Sequence, residues 1–264
     1  MRLNFLGTGS VRGAPVFGCH CRACQRARAD SKFNRSPCSA ILESGNVSIL
    51  IDGGQPHLKT RLSPGQLAAI CVTHFHMDHV QGLFELRWGL GKKIPVYCPP
   101  DEVGCDDLFK HPGILDFRPQ PEPFVAFHVG PVKITPLPLS HSKLTYGYAF
   151  ECRHQKLAYL TDTYGLPGET QHFLKHWGEF QMVLDCTWPP MGATPLNHND
   201  LDQALSIVSA VQPRKTYLTH MDHTFDEWLL NKRPSPLPGN IQLACDGQVV
   251  TIREPLSEDS WYPV

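Results

Sequence analysis

No stretch of this 264-residue chain approaches the roughly 18 consecutive apolar residues of a membrane-spanning helix, so no membrane association is expected. Charge of one sign is lacking too. The 24 Lys and Arg against 25 Asp and Glu leave a net charge of −1, too balanced to hold long nucleic acid by counterion release. The opening MRLNFLGTGSVRG has neither the apolar stretch nor the small-residue cleavage site of an export signal, and a cytoplasmic location is expected. In that reducing compartment the ten cysteines read as free thiols or metal thiolates rather than disulfides. The lysine that would complete a phosphate loop after Gly7, Thr8, Gly9 and Ser10 is missing as well, so FLGTGS reads as a glycine turn near the rim of a site.

What is present is a soluble globular composition, 41% hydrophobic and 19% charged, with an outlying count of 14 histidines. The length suits one domain, and residues 1–264 are expected to form one. Aliphatic runs bounded by Gly, Pro or Asp predict twelve strands, from RLNFLG through VSILIDGG, AAICVTH, VKITPLPL, KLAYLTD, QMVLDC and KTYLTH to QVVTIRE. Helical patterns fall at 78–90, 101–110, 168–177, 199–211 and 224–231, the fourth opening on Asn and Asp as caps. Adjacent strands with no helix between them, as from VKITPLPL to KLAYLTD, predict antiparallel pairing. Two sheets covered by outer helices fit this α/β pattern. The proline-heavy segment 111–136 reads as a surface excursion rather than a linker.

The strand-like LAAICV runs directly into THFHMDH, residues 73–79. On a helix His74 and His76 would point about 200° apart, so they converge on one ion only if the backbone is extended or turning. The motif is therefore expected on a loop leaving a strand, with Asp78 and His79 opening the next helix and serving a second ion nearby. Any one of these residues alone reads as a cap or a hydrogen-bonded side chain. Four together, buried without a cation, would need many separate partners.

HxHxDH is the signature of the metallo-β-lactamase superfamily, which this chain resembles. The resemblance implies an αββα sandwich, two mixed sheets packed together with helices on the outer faces. It also implies further ligands, and the chain offers His141 after ITPLPLS, Asp162 after KLAYLT as the carboxylate bridging both ions, and His220 after KTYLT. With His74, His76, Asp78 and His79 these complete a dinuclear set for Mn²⁺ or Zn²⁺. Five neutral imidazoles and two carboxylates around two dications leave an excess of positive charge, which favours an anionic substrate and a bridging hydroxide near neutral pH.

A second cluster lies at GCHCRAC, where Cys19, Cys21 and Cys24 supply three thiols within six residues. A closed tetrahedral zinc needs a fourth donor. His223 is the candidate, three residues beyond His220 and at a position where the resemblance places a histidine. The pattern predicts that this structural zinc supports the catalytic site through the short loop HMDH.

With that cluster included, the chain is similar to the PhnP-type phosphodiesterase of the carbon-phosphorus lyase pathway. GCHCRAC, THFHMDHVQGLFELRWG, PPDEVGCDDLFKHPG, PLSHSKLTYGY, TDTYGLP, NHNDL and LTHMDHTFDEWL carry the resemblance. It implies a homodimer that hydrolyses 5-phosphoribosyl 1,2-cyclic phosphate, a small phosphorylated sugar, to ribose 1,5-bisphosphate. It also implies His198 as general acid, beside Asp78 at the reacting centre. Read from the residues alone, His198 between Asn197 and Asn199 also suits the approach to a helix cap. Lys143 and Arg87 are candidates for the remote 5-phosphate, and both also suit solvated surface positions. Two alternatives are a tRNA 3′-processing endonuclease of the same superfamily and a non-hydrolytic pyrroloquinoline quinone biosynthesis protein of the B type, which shares a cysteine cluster of this spacing.

Overall fold

The computed structural model describes residues 1–119, 121–192, 197–232 and 237–253. Fourteen strands among them build two seven-stranded sheets. The first contains β1 (Arg2–Gly7), β2 (Ser39–Ser44), β3 (Val47–Ile51), β4 (Ala69–Cys71), β5 (Ile94–Tyr97), β6 (Leu115–Phe117) and β14 (Val249–Thr251), in the order β14-β1-β2-β3-β4-β5-β6. The second contains β7 (Phe127–Val129), β8 (Val132–Leu139), β9 (Thr145–Cys152), β10 (Gln155–Leu160), β11 (Gln181–Asp185), β12 (Lys215–Thr219) and β13 (Ile241–Leu243), in the order β13-β12-β11-β10-β9-β8-β7. Both sheets are mixed. Parallel pairing joins β3 to β6 in one, and β10 to β13 in the other.

Alternation along the strands sends one set of side chains between the sheets, where Leu3, Phe5, Leu42, Ile49, Ile134, Tyr148, Phe150, Leu157 and Tyr159 share one buried cluster. The outward faces are apolar as well and are covered by helices. On the first sheet these are α2 (Leu58–Arg61), α3 (Met77–Val80), α4 (Leu83–Leu86) and α5 (Asp106–Lys110), whose Leu58, Val80, Leu83 and Leu108 pack on Leu50 and Ile70. On the second they are α6 (Gly168–His176), α7 (Leu201–Val211) and α8 (His223–Leu230), through Leu174, Ala204, Ile207 and Phe225. The expected αββα sandwich is the fold.

Local chemistry moved several boundaries. The helix expected over 78–90 is two short pieces, because Gly82 lies against the preceding glycine loop: its N–H donates to Gly53 O at 2.8 Å, and a Cβ there would sit 2.2 Å from Gln55 O. Residues 101–104 form a turn instead of helix, since Asp101 Oδ1 accepts from Val103 N and Gly104 N and competes with helical pairing. Helix α1 (Arg22–Ala29), which no periodicity announced, starts from a thiol cap, Cys21 Sγ accepting from Cys24 N. The segment 111–136 is more than a surface excursion, because it contributes an edge strand to each sheet, β6 and β7.

Candidate metal centre

Parallel strands end together, and at one end of this sandwich five of them present a polar residue. Asp52 follows β3, His74 follows β4, Asp162 follows β10, Asp185 closes β11 and His220 follows β12. Asp52, Asp162 and His220 all adopt left-handed backbone, at φ of 57°, 59° and 63°. That conformation costs a non-glycine residue on the order of 1 kcal/mol or more, and here it turns each side chain across the strand ends rather than along them. Beneath the HxHxDH turn, Gly54 allows close backbone approach: a Cβ there would stand 1.8 Å from Asp78 O.

The seven donors predicted from sequence converge in two adjoining groups, linked by contacts of Asp162 with His79 and His220. His74, His76, His141 and Asp162 form one, with His74 Nε2 and His76 Nδ1 2.9 Å apart and His141 Nε2 3.1 Å from the same His76 nitrogen. Asp162 Oδ1 stands 3.8 Å from His74 Nε2 and 3.7 Å from His141 Nε2. Asp78, His79 and His220 form the other, with His79 Nε2 3.1 Å from Asp162 Oδ2 and His220 Nε2 3.6 Å from Asp78 Oδ2. Tetrahedral ligands about 2.1 Å from one ion stand roughly 3.4 Å apart, which is the spacing found. His79 Nε2 and His220 Nε2 are buried without a hydrogen-bond partner among the described residues. Buried polar atoms left this way are costly, and a cation between them supplies the missing partner. The donors therefore fit divalent ions.

The opposite ring nitrogens fix this orientation. His79 Nδ1 lies 2.8 Å from Asp52 Oδ2, His141 Nδ1 lies 3.0 Å from Asn197 O, and His220 Nδ1 lies 2.9 Å from Thr187 Oγ1. A ring that donates through Nδ1 keeps a lone pair on Nε2, aimed inward. Burial holds the pKa of His74 well below its usual value and lowers those of His76 and His141, so these rings are ready as neutral ligands. For His79 burial acts the same way, but the carboxylates of Asp162 and Asp52 outweigh it and hold the pKa well above normal.

His198 adjoins the seven predicted donors, with its donor atom within 4.8 Å of those of Asp162, Asp185 and His220. Its ring stacks on His220 at 4.6 Å between centroids, and Nδ1 lies 3.9 Å from Asp162 Oδ1. Asp185 holds it, with Oδ2 2.8 Å from Nδ1. Burial pushes the His198 pKa down, yet Asp185 and Asp162 raise it to about 9. Asp185 is itself fully buried and accepts from Asp162 N, Asn199 N and Thr187 Oγ1, so one carboxylate orients both His198 and, through Thr187, His220.

Asp52 and Asp185 were missed in the sequence reading. Each is an aspartate at the end of an apolar strand, the same signal that singled out Asp162. Lys143 stands 3.8 Å from Asp101, and it adds a little to the burial that lowers the pKa of His76. Arg87 is not brought to the centre. Its side chain is buried over Phe84 and Trp88, donates to Asp107 O and pairs with the Asp107 carboxylate at 2.7 Å, so the reading of Arg87 as a phosphate clamp is corrected to a brace between α4 and α5.

The cysteine cluster also assembles. Cys19, Cys21, Cys24 and His223 bring their donor atoms within 4.8 Å of one another, with His223 Nδ1 3.4 Å from Cys21 Sγ and 3.7 Å from Cys19 Sγ. Zinc–sulfur bonds of about 2.3 Å place tetrahedral ligands at such separations.

Comparison with known proteins agrees with this geometry. Residues 49–221 match the beta-lactamase superfamily domain. The crystal structure of a diphosphatase from the PhnP family superposes with a TM-score of 0.77 and 27% identity, covering 95% of this chain and 97% of that one. Zinc-bound PqqB from Methylobacterium extorquens shares the fold, with a TM-score of 0.74 at 18% identity, over 95% of this chain and 100% of that one. An octanoyltransferase from Porphyromonas gingivalis is 27% identical over 272 aligned positions, 96% of this chain, which spans about half (52%) of that protein's length. On the family match and the sandwich together, the chain belongs to the metallo-β-lactamase superfamily, and over nearly its whole length it is similar to the PhnP-family structure.

Proposed function

We propose that this superfamily hydrolase is a phosphodiesterase that opens small cyclic phosphodiesters, with 5-phosphoribosyl 1,2-cyclic phosphate as substrate and ribose 1,5-bisphosphate as product. One observation carries the reading: the donors of six residues gather around Asp162 in two groups, and a carboxylate-held His198 stands at their edge. His74, His76, His141 and Asp162 would hold one divalent ion, and Asp78, His79, His220 and Asp162 the other, as Mn²⁺ or Zn²⁺. When bound, such ions supply positive charge for a phosphoryl oxygen and lower the pKa of water.

The chain's own residues do the rest. Asp162 keeps the two groups in register through its two carboxylate oxygens. Asp185 fixes the His198 tautomer and leaves Nε2 free to donate a proton to the departing sugar oxygen. Lys143, on the His76 side of the centre, offers a point charge to a second anionic group. We place the enzyme in the cytoplasm, and as a homodimer, the latter tested by light scattering on the purified protein.

The deciding experiment measures turnover of the cyclic ribose phosphate, 2′,3′-cyclic nucleotides, a nucleoside diphosphate and precursor tRNA, with metals counted in the same preparation. Preference for the cyclic ribose phosphate supports the proposal. Because the PhnP-family neighbour is a diphosphatase, anhydride cleavage without diester cleavage in fully loaded protein would replace the diester with a phosphoanhydride as the bond attacked.

A further inference from the structure

Two metal clusters draw a donor from one loop. His220 Nε2 faces Asp162 and Asp78, while three residues on His223 Nδ1 faces Cys21 and Cys19. Between them lies Asp222, whose side chain is fully buried. Its Oδ1 caps α8 by accepting from Thr224 N at 3.0 Å and Thr224 Oγ1 at 2.8 Å. Its Oδ2 accepts from Arg12 Nε at 2.9 Å and lies 2.8 Å from Arg12 Nη2. His223 Nε2 lies 3.6 Å from Oδ1, and no other lysine or arginine pairs with this carboxylate among the described residues.

The backbone of the loop is held on both sides. Met221 N donates to Thr8 O and Ser10 N donates to Met221 O, while Asp222 N donates to Thr187 O. Thr187 in turn contacts His220 through its hydroxyl. Arg12 belongs to the segment that runs from Thr8 across this loop and on to the thiols at 19–24, and its guanidinium rests over the Trp188 ring at 5.6 Å. The left-handed φ of 63° at His220 shows that the loop does not adopt this path by local preference.

We infer that Arg12 is a positioning residue: by neutralising and locking buried Asp222 it sets the loop from which His220 and His223 diverge, and it thereby couples ion binding at the two clusters. The inference rests on the reading of both clusters as metal sites. Without the guanidinium, buried Asp222 keeps Thr224 and the edge of the His223 ring but loses its permanent cation, which draws the carboxylate toward water and disturbs the loop that carries His220 and His223. Because the ordering of one loop is shared, an ion at either cluster favours binding at the other by the same factor.

The test uses Arg12→Met, Arg12→Lys, Asp222→Asn and the double variant Arg12→Met/Asp222→Asn in metal-loaded protein. Two readouts are independent of turnover: Mn²⁺ affinity at the dinuclear site by chelator competition, and the rate of zinc release from the thiolate cluster to a chromogenic chelator. Arg12→Met is expected to weaken the first and speed the second, each by about 10-fold, the lower end of the effects of residues that orient metal ligands. Arg12→Lys recovers part of both. In the Asp222→Asn background Arg12→Met adds little, because the charge it neutralised is gone.

A lowered melting temperature with both metal readouts unchanged would reduce Arg12 to a fold-stabilising role. Loss at one cluster alone would overturn the coupling. Wild-type protein that takes up no ion at either cluster would instead overturn the metal reading itself.

Discussion

The candidate dinuclear centre and the candidate thiolate cluster are built on opposite plans. The thiolate cluster takes three of its donors from six consecutive residues and one from α8, leaves Cys19 and Cys21 partly exposed, and is braced by Arg28, which donates to the carbonyls of Cys19 and Val16. The dinuclear centre gathers donors from the ends of strands in both sheets, and behind them stand the fully buried carboxylates Asp52 and Asp185. The difference separates two tasks. A local cluster closed by four protein donors ties chain segments together, whereas a centre assembled from distant strand ends leaves room beside its donors for another side chain, the place His198 occupies.

The sharpest way to test that division is His198→Ala. If His198 moves a proton while the seven donors hold ions, turnover falls about 10²- to 10⁴-fold and metal content, read by elemental analysis, does not change. An unaltered rate would remove it from the chemistry. Asp52→Ala asks whether the buried carboxylates belong to the dinuclear plan: His79 loses its partner at 2.8 Å, and affinity on the Asp78, His79 and His220 side drops roughly 10- to 100-fold by chelator competition. Equal affinity in variant and wild type would make Asp52 a packing residue only.

Cys21→Ala probes the link between the plans. It is expected to lose the thiolate-cluster zinc and about 10-fold in affinity at the dinuclear centre, and zinc loss with both dinuclear ions retained would separate the clusters. The smallest effect belongs to Lys143→Met. A partly exposed ammonium contributes up to about 1 kcal/mol, so KM rises at most roughly fivefold for a substrate with a remote phosphate. The same rise with bis(p-nitrophenyl) phosphate, which lacks that group, would take Lys143 out of substrate selection.

The HxHxDH and CxCxxC donors were legible before the fold because their signals are local, while His141, Asp162, His220 and His223 were expected from the superfamily resemblance. HxHxDH packs four ligands into six residues, and Asp162 and His220 each follow an aliphatic run. Asp52 and Asp185 carry the same strand-end signal, yet nothing in one dimension tells a carboxylate that touches an ion from one that stands behind the imidazole. Arg87 was misread for the opposite reason. An arginine looks available in sequence, but its partner Asp107 lies twenty residues on, in α5 beyond strand β5. Helix limits failed where the glycine loop at 53–54 or the Asp101 turn competed with periodicity, contacts that hydrophobic spacing does not encode.

By itself the sequence determined which atoms can bind metal, because imidazole, thiol and carboxylate chemistry goes with residue type and close spacing brings those groups together in any extended loop. Tertiary structure alone decided which nitrogen of each ring faces inward, which carboxylates hold those rings, and that one loop serves both clusters. Those depend on how two sheets pack, since strand ends remote along the chain meet only when apolar faces are buried against each other and the polar residues at their tips are left to find partners.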